Sequence, residues 1–259
     1  MSSSLQTLIR DLHRRRGRER RGLALAEGVR LVEEALASAV TLRGTAASPA
    51  LESTTRGKAL KATLLTHGVQ VEDLTDAELE GLADTEHAQG IIAVIEPKRW
   101  TLSDIRMNPG AAILVLDGVQ DPGNVGTMLR TALGLGAAGL IALKGTADLT
   151  NPKVIRGAMG ASFRLPAVTA APDEFVAWVR LQRGQIWVAD AAGETGDRLA
   201  RRGDRPAVAL VVGNEGAGVG TSVDAAADRR IAVPLARGVE SLNVAVAAGI
   251  LLYEVTRVS

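Results

Sequence analysis

The sequence predicts an α/β protein: a small α/β domain followed by a mostly parallel sheet with helices on both faces. In the second half of the chain, short apolar runs bounded by turn residues alternate with helical patterns, as strand–helix–strand units do. Those runs are continuous rather than alternating, the pattern of strands buried on both faces. The 259 residues include two Phe, three Trp and one Tyr, so Ala, Val, Leu and Ile must fill the cores. That supply suits α/β layers better than an aromatic-rich sandwich. It also argues against a sheet that stacks many bases.

From the amino end, the first feature is a run of arginines. Arg14, Arg15, Arg16, Arg18, Arg20 and Arg21 lie between His13 and Gly22, opposed only by Glu19. Between residues 62 and 97 there is no Lys or Arg, but there are eight acidic residues. A net charge of +1 thus hides a locally basic end, the footprint of phosphate contact. Charge alone leaves a solvated arginine-rich helix face equally open. Residues 28–36 then place Val29, Val32 and Leu36 on one helical face. A Thr75-Asp-Ala-Glu78 capping box opens a helix over 75–82. Gly90-Ile-Ile-Ala-Val-Ile95 is a strand-like run that Pro97 stops. Residues 98–109 read as a linker, with the boundary at Met107, giving one domain over 1–107 and another over 108–259.

In the second domain, residues 111–116 form a buried strand that empties into Asp117-Gly-Val-Gln-Asp-Pro-Gly-Asn124. A helix follows over 125–135, then strands over 139–143, 185–189, 207–212 and 230–235. An apolar helix over 242–255 closes the chain.

Composition removes several function classes. Without cysteine there is no disulfide, zinc finger or thiol catalysis. His13, His67 and His87 are scattered and have no metal-ligand spacing. No apolar run reaches membrane-spanning length, and the opening residues lack the apolar core of a signal peptide. A soluble, cytoplasmic protein is expected.

A dinucleotide fingerprint occurs at Gly134-Leu-Gly-Ala-Ala-Gly139, but it ends a helix and enters a strand. A pyrophosphate site does the reverse, so the reading is a helix stop and tight turn, not a dehydrogenase. Three other places leave the carboxyl ends of expected strands, where open parallel sheets gather ligands. In the first, Asn124 is placed to cap the helix and Arg130 lies further along it. The second, residues 212–218, is glycine-rich with Glu215 its only charge. The third, residues 234–244, sets Ser241 and Asn243 at the mouth of the last helix. Taken singly, each also reads as a cap, an ion-pair partner or an ordinary turn.

Together these places resemble the three ordered motifs of the SpoU/TrmH family of RNA ribose methyltransferases. They stand here as Asn124-Val-Gly126 with Arg130-Thr-Ala132, then Gly213-Asn-Glu-Gly-Ala-Gly218, then Val233-Pro-Leu235 with Glu240-Ser-Leu-Asn-Val-Ala-Val246. Leu25-Ala-Glu-Gly-Val-Arg-Leu-Val32 and Asp84-Thr-Glu-His-Ala-Gln-Gly90 are similar to the family's L30e-like substrate-binding domain. Ala158 departs from the pattern, since many relatives carry Ser there, which bears on substrate choice.

The resemblance implies a deep trefoil knot in the second domain, an exception to the rule that chains avoid knots. It implies S-adenosylmethionine as methyl donor, lined by Val212, Gly213, Val233, Leu235 and Leu242, with no metal. Arg130 would be central to attack by a ribose 2′-hydroxyl, with Asn124, Glu215, Ser241 and Asn243 orienting it. A guanidinium keeps its proton in proteins, so alkoxide stabilisation or a bidentate phosphate contact suits Arg130 better than general-base work. The resemblance also implies a homodimer packed through the last helices, and ribosomal RNA as the expected substrate. Transfer RNA, or an RNA-binding protein with lost catalysis, are the alternatives.

Overall fold

The computed structural model describes residues 4–38, 40–85, 89–195 and 206–258. The chain divides into two compact units, residues 1–99 with 150–163 and residues 100–149 with 164–259. The first opens with α1 (Leu5–Leu12), α2 (Arg15–Arg21), β1 (Ala24–Glu27) and α3 (Val29–Ala37). It continues through β2 (Thr41–Ala47), α4 (Thr55–Thr66), β3 (Val71–Asp73), α5 (Asp76–Glu80) and β4 (Ile91–Glu96). Then come β5 (Ala112–Asp117), α6 (Pro122–Gly134), β6 (Gly139–Leu143), α7 (Pro152–Ala158), α8 (Ala161–Arg164) and β7 (Ala167–Ala170). The chain closes with α9 (Pro172–Leu181), β8 (Gln185–Thr195), β9 (Val208–Gly213), α10 (Thr221–Ala225), β10 (Arg229–Ala232) and α11 (Val244–Val258).

In the first unit a four-stranded sheet runs β1-β4-β2-β3. Gly22 ends α2 in the left-handed conformation, at φ +64°, and returns its N–H to the Arg18 carbonyl. Beyond the Arg14 cap, the arginine run is therefore itself a helix, preceded by α1. α1 contributes Ile9 and Leu12 to a core shared with Leu25 and Leu79. The packing corrects one expected RNA contact. Arg18 is 4% exposed and donates to the carbonyls of Leu12 and His13 at 3.0 and 2.9 Å, and to Thr150 Oγ1 at 3.2 Å. It ties α1 to α2 from inside and cannot reach a phosphate.

Arg20 and Arg21 both donate to Asp11, whose carboxyl is held below its ordinary value, chiefly by Arg21. A depressed carboxylate contributes its stabilisation above the unfolded pKa and loses it as pH falls through the folded one. The Asp11 contact should therefore persist at neutral pH and open only in acid. An NMR titration of this carboxyl should give a midpoint below about 3.9, the unperturbed value. A midpoint at or above that would show the pair to be absent in solution.

Residues 98–109 do not behave as a linker. Ile105 and Met107 are 3% and 6% exposed in the core of the second unit, with Trp100 and Leu102 packed against them. Conversely Ile155 and Phe163 belong to the core of the first unit, beside Val29, Val32 and Ile95. Ala158, at the end of α7, is fully buried.

The second unit is built on six parallel strands in the order β10-β8-β9-β5-β6-β7. One face of alternate residues, Ile113, Val115, Ile141, Ala209, Val211, Ile186 and Val188, packs with Phe175 and Val179 of α9 and Val223 of α10. α6 and α11 pack against each other and against β5. Because all six strands run parallel, β5, β9 and β10 release their loops at the same carboxyl edge. The fingerprint at 134–139 is a helix end followed by Gly136 at φ +74°, then the start of β6.

Candidate active site

The loop after β5 is shorter than the sequence suggested, because α6 begins at Pro122 rather than Val125. Proline suits the first helical position, having no N–H to leave unpaired. The cap is Asp121, whose Oδ1 accepts the Asn124 N–H at 2.7 Å. Asn124 is thus not the cap but a first-turn residue with its side chain released. Its Nδ2 donates to Glu215 Oε1 at 2.9 Å, and its Oδ1 accepts from Asn243 Nδ2 at 3.1 Å. Donor and acceptor are both committed, which fixes the orientation of the amide.

Asn243 also takes the role the sequence offered to Ser241. Its Oδ1 accepts the N–H groups of Ala245 and Val246, capping α11, which begins at Val244 rather than 242. Ser241 is exposed and its hydroxyl has no hydrogen bond among the described residues. One side-chain chain, Asn243–Asn124–Glu215, therefore joins all three loops.

The β9 loop is pinned by residues that sequence reasoning passed over. Asp117, 9% exposed at the end of β5, accepts the Gly220 N–H at 2.7 Å. Asn214 donates to the Gly118 carbonyl at 3.0 Å and accepts from Gly216 and Ala217. A bridge between Asn214 and Gly218 closes the turn. Gly213 sits inside it: a Cβ there would lie 2.3 Å from the Gly218 carbonyl carbon. An Asp ending a buried strand was the available signal, but its partner is 103 residues away.

Beside this turn opens a cleft whose lining includes Val212, Gly213, Val233, Leu235 and Leu242, the five residues expected around the donor. Glu215, Ser241 and Glu240 of the third motif line it too, and so does Asp190, which the sequence did not single out. Apolar walls with three carboxylates in the lining suit an adenine attached to a cationic sulfonium and ammonium group. Asn124, Asn243 and Arg130 are outside the lining. Arg130, two turns along α6, is exposed and makes no hydrogen bond or ion pair among the described residues. Arg14 and Arg16 on the first unit are likewise exposed and unpaired there, while Arg15 is paired with Glu19. Glu86, His87 and Ala88 of the 84–90 motif lie outside the described residues.

Comparison with known proteins gives a consistent picture. Residues 111–253 match the model of the SpoU rRNA Methylase family, and residues 7–93 that of an MRM3-like substrate binding domain. The chain is 35% identical over 244 residues to a 23S rRNA (guanosine(2553)-2′-O)-methyltransferase, RlmP, of Bacillus subtilis, covering 94% of this chain and 92% of that protein. It is 35% identical over 194 residues to the 23S rRNA (guanosine-2′-O-)-methyltransferase RlmB of Ralstonia nicotianae, covering 73% and 78%. Among solved structures, an AdoMet-bound rRNA methyltransferase from Sinorhizobium meliloti superposes with TM-score 0.84 at 29% identity, covering 98% and 95%. The methyltransferase AviRb from Streptomyces viridochromogenes, in complex with AdoMet, also gives 0.84, at 26% identity and 98% coverage of both.

Proposed function

The chain belongs to the SpoU rRNA methylase family, and from that premise we propose that it methylates a ribose 2′-hydroxyl of ribosomal RNA in the cytoplasm, using S-adenosylmethionine. The observation that carries the reading is the Asn243–Asn124–Glu215 chain, whose Glu215 lines the cleft. Val212, Val233, Leu235 and Leu242 would hold the donor's apolar part, with Gly213 offering backbone. When bound, that donor supplies an electrophilic methyl on sulfonium.

The chain's own residues must make a 2′-oxygen a competent nucleophile. Asn124, Glu215 and Asn243 orient one another, which leaves the second Nδ2 hydrogens of both asparagines and the Ser241 hydroxyl for the ribose. Arg130 stabilises charge as the 2′-oxygen loses its proton to water, or grips the neighbouring phosphate bidentately. The first unit recruits the RNA, with Arg14, Arg15, Arg16, Arg20 and Arg21 supplying sequence-independent attraction. Among the described residues no helix is long and apolar enough to cross a membrane.

We also propose a homodimer. Val246, Ile250 and Tyr253 are 52%, 40% and 49% exposed at helical spacing on α11, an apolar stripe of the kind that marks an interface. α6, which carries Arg130, packs on the same helix, so the partner would cover the site's edge. Ile250→Asp combined with Tyr253→Asp should give monomers by analytical ultracentrifugation, with loss of turnover. Unchanged dimers would move the interface elsewhere.

The direct test incubates the protein with radiolabelled S-adenosylmethionine and unmodified ribosomal or transfer RNA, followed by alkaline hydrolysis. Label in an alkali-resistant dinucleotide from ribosomal RNA is expected. Label confined to transfer RNA would change the substrate, and no donor binding by calorimetry would end the reading.

A further inference from the structure

The first unit holds a cavity that the chemistry above does not use. It encloses about 580 Å³, against about 220 Å³ for the cleft at Gly213, and falls among small-ligand sites of roughly 300–1,000 Å³. Two helix amino ends line it: Val29 and Arg30 of α3, and Thr54 with Arg56 at the start of α4. Neither helix has an acidic residue in its first turn, and each has arginine at its second position. A cation there opposes the helix dipole, whose amino end is already positive. At the α4 end Glu33 already answers Arg56, so an anion would relieve the conflict that remains at Arg30.

The rest of the lining is of opposite character. Asp76 and Glu80 face the cavity from α5, over apolar surface from Val29, Leu51 and Leu79. Asp76 Oδ1 accepts the Ala50 N–H at 3.0 Å, and Ser48 in the same lining is 5% exposed with its Oγ left without a partner among the described residues. The walls are fixed in place. Gln89 Oε1 accepts the Val29 N–H at 3.1 Å, and Gly90, at φ +73°, passes so close to Leu51 that a Cβ would lie 2.1 Å from its nitrogen. Arg56 is held by Glu33, whereas Arg30 is exposed and makes no hydrogen bond or ion pair among the described residues.

We propose that this cavity takes one unstacked nucleotide of the RNA substrate. Its phosphate lies between Arg30 and the two helix ends. Its base covers Val29, Leu51 and Leu79 and turns its N–H groups to Asp76, Glu80 and Ser48. A simple anion has no use for the carboxylate wall, and a cation has none for the arginines; a nucleotide uses both. Splayed-out single-stranded bases are what proteins read in RNA. This rests on the RNA reading above and states where the first unit grips its substrate, whereas the α2 arginines attract any phosphate.

The test uses the full-length protein and ribosomal RNA transcripts substituted with 4-thiouridine. Photocrosslinked peptides are identified by mass spectrometry, while filter binding and calorimetry measure RNA and S-adenosylmethionine affinity. Crosslinks in peptides spanning 48–56 or 76–80 are expected. Arg30→Glu should weaken RNA binding at least about tenfold and flatten the slope of log K against log salt by about 1. Arg30→Lys should retain most of the affinity, and neither variant should change donor affinity. Crosslinks confined to α2, with Arg30→Glu binding like the parent, overturn the assignment, as does failure to bind any RNA. Crosslinking in the cavity without methyl transfer would leave the site standing and remove the enzymatic reading instead.

Discussion

Replacing Arg130 by alanine is expected to lower methyl transfer by about 10²–10³-fold, the loss typical when one preorganised donor to a developing oxyanion is removed. The substitution is clean because Arg130 is exposed and unpaired among the described residues. Alanine is also the best helix former, so α6 and the melting temperature should be unaffected. Arg130 lies outside the cleft lining, so donor affinity should be unchanged and the whole effect should appear in kcat at saturating RNA. Arg130→Lys separates two roles. Lysine keeps the charge and loses the planar fork, so near-parental activity would point to simple electrostatics and a deep loss to bidentate contact. Turnover within about tenfold of the parent in Arg130→Ala would remove Arg130 from the mechanism.

The second large effect is expected from Gly213→Ala. The added Cβ would meet the carbonyl carbon and oxygen of Gly218 at 2.3 and 2.4 Å and the Val219 nitrogen at 2.5 Å. All three are backbone atoms, so the 214–218 turn itself must move, together with Glu215. Overpacking of this kind costs about 1–3 kcal/mol. If that cost falls on the bound geometry, donor affinity drops about 5–150-fold by calorimetry, at 1.4 kcal/mol per factor of ten. Gly216→Ala is the control: its Cβ would meet nothing closer than Asn214 Oδ1, at 3.6 Å. Equal affinities in the two variants would show that the turn tolerates movement and does not shape the cleft.

The sequence was most legible where local pattern decides structure. β5, β6 and β4 are continuous apolar runs and appear within a residue of their expected bounds. The Thr75 box caps α5 as read. Helix starts misled by two or three residues, because Asp121 and Asn243 both cap, and the sequence offers several capping residues at each place. What could not be read was everything that depends on distant partners. Arg18 looks like its neighbours in the arginine run, and is buried only because carbonyls at 12 and 13 and a hydroxyl at 150 are waiting for it. Asp117 and Asn214 look like loop residues until Gly220 and Gly118 come within reach. The resemblance named the loops that meet; the bonds that hold them together needed coordinates.

The core of the first unit is completed by Ile155 and Phe163, which lie more than fifty residues beyond the end of its own sheet. On a ribosome adding about 5–20 residues per second, Phe163 follows residue 99 by roughly 3–13 s. Through that interval the nascent amino-terminal sheet has apolar surface with nothing to cover it, while β5 and β6 are already emerging. Domains usually finish folding in the order they are made. Here the earlier one must wait for a segment of the later, so a chain stalled before residue 150 carries an unfinished first unit, a natural substrate for chaperones and proteases.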